Sequence, residues 1–379
     1  MLSPDQIEKY GNIAESLLDP VTEFLIADIT QRVAKAGQIT GTAAYQVWRL
    51  QNLGYSQAEI KKQIAKRMKI SEKKLEKLIE ESAKLGYRFD LAHLPSADAI
   101  PFRDNEIIQG IVSAAVQMGG EDLGNITRTI GFVLQDGTVS PLTEAYKAAS
   151  DYAWTQVATG STDYNTAVRN ATRQLVNQGI QSIDYESGQH CSVEAAVRRN
   201  VMSTLGTMQA DISQQNHDDM GADGWEISAH FASAPDHEPI QGKQYTDAEF
   251  QRLNNSLRRQ IGTLNCGHAA YPIIIGVSEP EYTRTELEEM RRKNEQGVNI
   301  EGRHFTTYEA TQKQREIERA IRKQKRRVIV EKNIPGSDRL DDEKSKLNIL
   351  LDRYSQFSKS ADLPTQWARA YSTVKGYKY

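Results

Sequence analysis

The stretch "SVEAAVRRNVMSTLGTMQADISQQN", residues 192–216, predicts a long helix for which Ser192 is a suitable N-cap. From Gly224 onward the apolar residues recur with period two instead. This change from helix to strand predicts a mainly α, multidomain protein that also carries a small α+β module. In "WEISAHF", residues 225–231, one face of the strand would hold Trp225, Ile227, Ala229 and Phe231, and the other Glu226, Ser228 and His230.

The residues before the long helix favour shorter helices. Apolar residues keep helical spacing from Gln6 to Gln31, with an adjustment at Asp19-Pro20. Two short helices are predicted next, one capped by Ser56 and one spanning Ser71 to Gly86. We place a helical N-terminal domain at residues 1–95.

A second helical unit is predicted after a linker. Residues 90–104 contain two prolines and no apolar period, which is typical of a linker. The middle helical domain is placed at residues 96–220. Gly160 and Gly179 stand where helix C-caps are expected.

The break at residues 54–56 resembles the turn of a helix-turn-helix. A DNA-binding regulator is therefore one alternative, and it predicts sequence-specific binding by the N-terminal domain alone. Small helical adaptors without nucleic-acid contact have the same pattern, so the break leaves both interpretations open.

The small α+β module is placed at residues 221–282. Its predicted helix begins at Thr246, which forms a capping box with Glu249, and ends at Gly262. A second buried strand is predicted at residues 271–277. Residues 283–379 are assigned to long C-terminal helices, namely a basic amphipathic helix and a helical tail.

Overall charge and cysteine content exclude several classes of protein. Lys plus Arg total 47 against 50 for Asp plus Glu, and a net charge of -3 excludes a globally basic nucleic-acid binder. Two cysteines, Cys191 and Cys266, are too few for a disulfide framework. No apolar run approaches the roughly 18 residues that span a bilayer, so neither a membrane contact nor a cleavable signal is expected.

The C-terminal basic helix suggests an anion-binding surface. Residues 313–327 contain eight Lys or Arg, more than a merely solvated helix face usually carries. At helical spacing Ile317, Ile321 and Val328 lie opposite an arginine stripe. We expect a DNA phosphate backbone or an acidic protein surface to bind this stripe, which consists of Arg315, Arg319, Arg322 and Arg326.

The module carries a cluster of metal-ligating residue types. Neutral imidazole and thiolate are ligands that Zn²⁺ prefers, although the H-x7-H and C-x-H spacing matches no common zinc finger. One alternative is that the histidines are buried polar residues and Cys266 is a small hydrophobe. Another is a catalytic centre in which His237 acts as a general base or Cys266 acts as a nucleophile. The candidate ligands are His230, His237, Cys266 and His268.

Several separated segments together resemble the minor capsid protein 2 family of tailed phages, which is related to the head-morphogenesis group typified by the Mu F protein. The matching segments follow one another in the same order from near the N-terminus to about Arg327. Its segments are "TAAYQVWRLQNLG", "AVRNATRQLVNQGIQSIDYESG", "AVRRNV", "ISAHFASAPDHEPIQGKQY", "NCGHAAYP", "GVSEPEYT" and "YEATQKQREIERAIRKQKR".

The resemblance implies a virion component that is made in the host cytoplasm and associates with the portal and other head proteins during head assembly. It also implies a compact C-terminal module with Cys and His at similar points, which supports zinc as the cofactor. The family pattern usually has arginine where this chain has Ala234 and Gly267. The alternative is a virion-carried, nuclease-like enzyme or effector that uses His237 and His268 as acid and base.

Overall fold

The computed structural model describes residues 2, 4–54, 56–93, 100–184, 189–263 and 266–370. Within these ranges the chain is mainly α-helical with small antiparallel sheets, which confirms the predicted fold class. None of the helices in the described ranges is long and apolar enough to cross a membrane.

The elements up to residue 220 form a helical body with one small sheet. In chain order they are α1 Pro4–Glu15, α2 Asp19–Gly37, α3 Thr42–Arg49, a π-helical segment Leu50–Gly54, α4 Ser56–His93, α5 Glu106–Arg128, β1 Ile130–Val133, β2 Val139–Pro141, α6 Leu142–Ala158, α7 Tyr164–Gln178, β3 Gln181–Ile183, β4 His190–Ser192 and α8 Val193–Met220. The sheet has the strand order β2-β1-β3-β4.

The remaining elements form the module and the C-terminal helices. They are β5 Gly224–Ile227, β6 Gln244–Thr246, α9 Asp247–Ser256, β7 Ala270–Ile273, α10 Arg284–Gln296, β8 Val298–Ile300, β9 Arg303–Phe305, α11 Thr307–Lys332, α12 Leu340–Ser360 and α13 Trp367–Ala370. β5 is the central strand of the module, between β6 and β7, while β8 and β9 form a separate hairpin.

The long helix α8 packs against elements of both the body and the module. Ser192 caps it as predicted, because its hydroxyl accepts a hydrogen bond of 3.3 Å from the backbone N–H of Ala195. α8 contacts α1, α4 and α5, and β7 of the module also lies on it. The carbonyl of Gly262 approaches α8 at Gly206 so closely that a Cβ there would lie 2.3 Å from the oxygen. Only glycine permits this approach.

One hydrophobic core joins the helices on both sides of the predicted linker. It contains Leu25, Leu75, Ile108 and Leu205, and it also takes in Val330 from α11. The core therefore draws side chains from the N-terminal and the middle segments and from a C-terminal helix. The domain boundaries proposed from the sequence stay predictions.

The prediction of two short helices between Ser56 and Gly86 is wrong, because α4 runs without a break to His93. Ser71, the expected N-cap, is buried inside this helix, and its hydroxyl donates to the carbonyl of Leu17. Asp90, assigned to the linker, is also helical and buried, and it accepts a hydrogen bond of 2.7 Å from Ser213 on α8. Residues 94–99 of that linker lie outside the described residues.

The two strands of the module are shorter than the apolar pattern suggested. β5 ends at Ile227, and the chain turns at Ala232, which has a φ of 58°. Phe231, expected on the buried face, is 49% exposed. β7 ends at Ile273 because residues 274–277 form a turn, in which the N–H of Val277 donates to Ile274.

The module's helix α9 also ends earlier than predicted. Its capping box of Thr246 and Glu249 is confirmed. The helix stops at Ser256 rather than at Gly262, and the Asn254 side chain accepts a hydrogen bond of 2.8 Å from the N–H of Ile261. Asparagine competes in this way with helical backbone bonding.

The helices α11 and α12 pack side by side around a second small core of Ile321, Leu347 and Tyr354. A buried ion pair closes this core, since Arg369 Nε lies 2.9 Å from Glu318 Oε2 and the two side chains are 3% and 1% exposed. Tyr354 donates a hydrogen bond of 2.8 Å to the same carboxylate. The pair thereby ties α13 to the α11–α12 hairpin.

Replacing Arg369 tests this pair. Arg369→Leu should lower the free energy of unfolding by about 3 to 5 kcal/mol, because it leaves Glu318 buried without its cation. Denaturant titration measures the change. Arg284→Leu is the matched control, since the Arg284–Glu288 pair is 93% and 66% exposed and should matter little. Equal effects of the two substitutions would contradict the account.

Lys325 on α11 makes the free energy of unfolding depend on pH. It is 4% exposed and donates a hydrogen bond of 2.6 Å to the carbonyl of Ala370. Burial is the largest cause that lowers its pKa, to about 8, although Asp19 and Glu23 act in the opposite direction. Between that pH and the ordinary lysine pKa of 10.5, the unfolded chain holds a proton that the folded chain has lost.

The unfolding free energy of the wild-type protein should therefore rise with pH through this window, relative to Lys325→Met, by about 1.4 kcal/mol per pH unit at most. Urea titrations of both proteins across the window measure the difference. Taking the difference between the two proteins cancels the titration of groups that they share. A constant or falling difference would contradict the lowered pKa.

Candidate metal centre

Two segments of the module bring three metal-ligating side chains together. One is the turn after β5, which carries His237, and the other is the loop before β7, which carries Cys266 and His268. The Cys266 sulfur lies 3.3 Å from His237 Nδ1 and 3.6 Å from His268 Nδ1. All three side chains are buried, with exposures of 1%, 5% and 2% for His237, Cys266 and His268.

Hydrogen bonds fix which nitrogen of each imidazole faces the sulfur. His237 Nε2 lies 2.8 Å from the carbonyl oxygen of Arg259, which can only accept, so Nε2 carries the hydrogen. His268 Nε2 lies 3.0 Å from Gln241 Oε1, and the backbone N–H of His230 donates to that same oxygen. Both rings thus present an unprotonated Nδ1 to Cys266, the arrangement that outer partners impose on metal-ligating histidines.

These three atoms fit a zinc ion. In a tetrahedral site with Zn–S of about 2.3 Å and Zn–N of about 2.0 Å, sulfur and nitrogen ligands lie about 3.5 Å apart. The two sulfur–nitrogen distances, 3.3 and 3.6 Å, bracket that value. The ligand atoms of the three residues all lie within 4.8 Å of one another. A thiolate with two imidazoles is a donor set that suits Zn²⁺.

His230 lies beside this cluster and is not one of its three members. Its Nδ1 lies 2.7 Å from the carbonyl oxygen of Phe231, and its ring centroid is 4.3 Å from that of His268. β5 ends before His230, so the residue belongs to the turn rather than to a strand face. A Cβ at Gly267 would lie only 2.9 Å from His230 Nε2, so the glycine leaves room for this ring.

Burial favours the neutral forms of Cys266 and His268. It raises the pKa of the Cys266 thiol. It also lowers the pKa of His268 to about 2, and the positive forms of His230 and His237 add to that effect. The metal-free site therefore holds a neutral thiol and a neutral imidazole, and binding a metal must displace the thiol proton. A thiol with a raised pKa is a poor nucleophile, which argues against Cys266 as a catalytic residue.

The supporting residues of the site gave no signal in the sequence. Arg259 contributes its backbone carbonyl, and its side chain is held 2.8 Å from Asp236. Ser233 Oγ lies 3.2 Å from His268 Nε2. Every residue has a backbone carbonyl, so the residue type could not have identified Arg259 as the hydrogen-bond acceptor for His237.

A cavity of about 590 Å³ lies against the histidine side of the site. His237 and His268 line it, together with His230. The cations that line it come from three different elements: Arg198 on α8, Arg315 on α11 and Arg259 in the module.

The basic helix α11 does not present its four predicted arginines on one open face. Arg322 Nη1 donates hydrogen bonds to Glu15, at 2.8 Å, and to the carbonyl of Arg369, at 3.1 Å. Arg326 Nε donates to the carbonyl of Val176 at 2.9 Å. These two guanidinium groups hold α11 against the body instead of facing an external anion. Arg315 is half-buried at the cavity, and Arg319 is exposed.

A known protein family matches most of this chain. The family model described as phage minor capsid protein 2 matches residues 2–357. Neither the curated proteins nor the solved structures contain a match to this chain. Because the family model covers far more than half of the sequence, the chain belongs to the phage minor capsid protein 2 family.

Proposed function

We propose that this protein is a structural component of the phage head that joins the portal during assembly in the host cytoplasm and stays in the virion, where it contacts the packaged DNA. Membership of the minor capsid family over residues 2–357 supports a role in the head. The portal and the DNA are the partners that fit a minor component of a head. The protein performs no turnover in this role.

The module binds one Zn²⁺ through His237, Cys266 and His268. The observation that carries this proposal is the convergence of two Nδ1 atoms on one sulfur, with each Nε2 held by an acceptor. The ion would act as a cross-link between the turn after β5 and the loop before β7. The buried hydrophobic cluster at β7 is small, since it consists of Tyr271 and Ile273 with Ala269 and Phe89 of α4 packed against them. A structural zinc adds its binding free energy to the stability of such a module.

The nuclease-like alternative requires His237 to accept a proton from water. Its Nε2 is engaged with a carbonyl and its Nδ1 faces Cys266, while the side chain is 1% exposed. A buried imidazole with both nitrogens engaged is poorly placed to act as a general base.

Zinc analysis tests the metal centre. The purified full-length protein should contain one zinc per chain, and chelation should lower its unfolding free energy by about 3 to 4 kcal/mol. Cys266→Ala should lose the zinc and its response to the chelator. Cys191→Ala is the matched control, because it removes the other cysteine, which lies outside the cluster, and should keep the zinc. Full zinc content in Cys266→Ala would contradict the proposed ligand set.

Assembly of heads in cells tests the structural role. When the protein is produced with the portal and the other head proteins, it should copurify with heads that contain the portal and be depleted several-fold from heads assembled without it. Cys266→Ala should reduce its incorporation, because the module loses its cross-link, while Cys191→Ala should not.

Two results would contradict the structural role. One is equal incorporation into heads with and without the portal, which would remove the portal as the partner. The other is a nuclease activity of the purified protein that His237→Ala abolishes while the protein stays folded, as judged by circular dichroism. That second result would establish the enzymatic alternative.

A further inference from the structure

A row of lysines follows the outer face of α4. Lys62, Lys66, Lys69, Lys73 and Lys77 are all exposed. At 100° per residue they fall within an arc of about 80°, and they span about 22 Å along the helix axis. We call these five residues the α4 lysine row.

The opposite face of α4 holds the row in a fixed position. Ile60, Met68, Leu75, Leu78 and Ile79 are buried in the main hydrophobic core. The helix is continuous from Ser56 to His93, so the lysines share one rigid support. Two separate short helices would not have aligned them.

Four of the five charges of the row have no ion-pair partner in the part of the chain that the structure describes. Lys77 lies 3.7 Å from Glu81 at the C-terminal end of the row. The other four lysines form no ion pair with any residue in the described ranges. Glu72 and Glu76 lie to one side at helical spacing, and the stretch from residue 61 to 74 has seven basic residues against the single acid Glu72.

We propose that the α4 lysine row binds the phosphate backbone of DNA without reading its sequence, and that this row, rather than the arginines of α11, is the main DNA contact of the protein. The inference rests on the proposed contact with packaged DNA and assigns it to a surface. On α11, by contrast, Arg322, Lys325 and Arg326 donate hydrogen bonds inside the protein.

The chemistry of the row favours a polyphosphate over an acidic protein. Lysine is a compact point charge on a flexible stem, which suits repeated phosphates whose positions vary. The cores of protein–protein interfaces are depleted in lysine and anchored by aromatic residues or arginine, and the row contains neither. The row also differs from a typical recognition helix, because it consists only of lysines and lacks the planar side chains of Arg, Asn and Gln that read base edges with two hydrogen bonds at fixed positions.

Salt-dependent binding of a random-sequence DNA duplex to the full-length protein tests the proposal. The test variant changes Lys62, Lys66, Lys69 and Lys73 to Gln, which keeps helix propensity and removes four positive charges. Its slope of log affinity against log salt should be shallower by about 3 to 4 than that of the wild-type protein, and its affinity at low salt should fall at least about tenfold.

The matched control changes four exposed cations of α10, namely Arg284, Arg291, Arg292 and Lys293, to Gln. It alters the net charge by the same amount, but three of these cations already pair with glutamates. The control should keep most of the wild-type slope and affinity. A second comparison variant, Arg315→Gln with Arg319→Gln, should also change the slope less than the test variant.

The outcomes separate the inference from the proposed function. If the wild-type protein binds DNA and the test variant binds with the same slope, the row is not the DNA contact, although the proposed DNA contact stands. A test variant that keeps DNA binding but is lost from heads would show that the row docks on a head protein. If the wild-type protein fails to bind DNA even at low ionic strength, both the inference and the proposed DNA contact are overturned.

Discussion

Enclosure of α8 by neighbouring elements is the constraint on which the rest of the structure depends. Its side chains Val197, Leu205, Met208 and Ile212 are buried in the main core. A helix that is covered on several sides needs apolar residues around most of its circumference. The same helix also supports the module, since β7 lies on it and the loop that leads to Cys266 crosses it at Gly206. The cluster of His237, Cys266 and His268 is therefore positioned by the body of the protein as well as by its own module.

Local signals predicted the parts of the fold that depend on neighbouring residues in sequence. The Ser192 cap and the Thr246–Glu249 capping box are local hydrogen bonds, and the structure contains both. The length of α4 was not predicted, because Ser71 resembles a helix start until tertiary packing buries it against Leu17. The end of β5 was missed for a similar reason: the alternation of residues continues in the sequence after the backbone has turned.

The candidate site was predicted only in part. Residue chemistry identified His237, Cys266 and His268, which the structure brings together. It also suggested His230, whose ring lies beside the cluster. The carbonyl of Arg259 and the amide of Gln241 orient the imidazole rings of His237 and His268, and both depend on a fold that residue types do not specify. The charge pattern likewise does not specify that α11 uses two of its arginines for internal contacts while α4 exposes its lysines.

We propose that one zinc ion joins a thiolate and two imidazoles in the module. X-ray absorption at the zinc edge of the purified full-length protein tests it most directly. The account predicts one sulfur ligand at about 2.3 Å and at least two nitrogen ligands at about 2.0 Å. A spectrum without a sulfur ligand, or a protein that takes up no zinc, would contradict it.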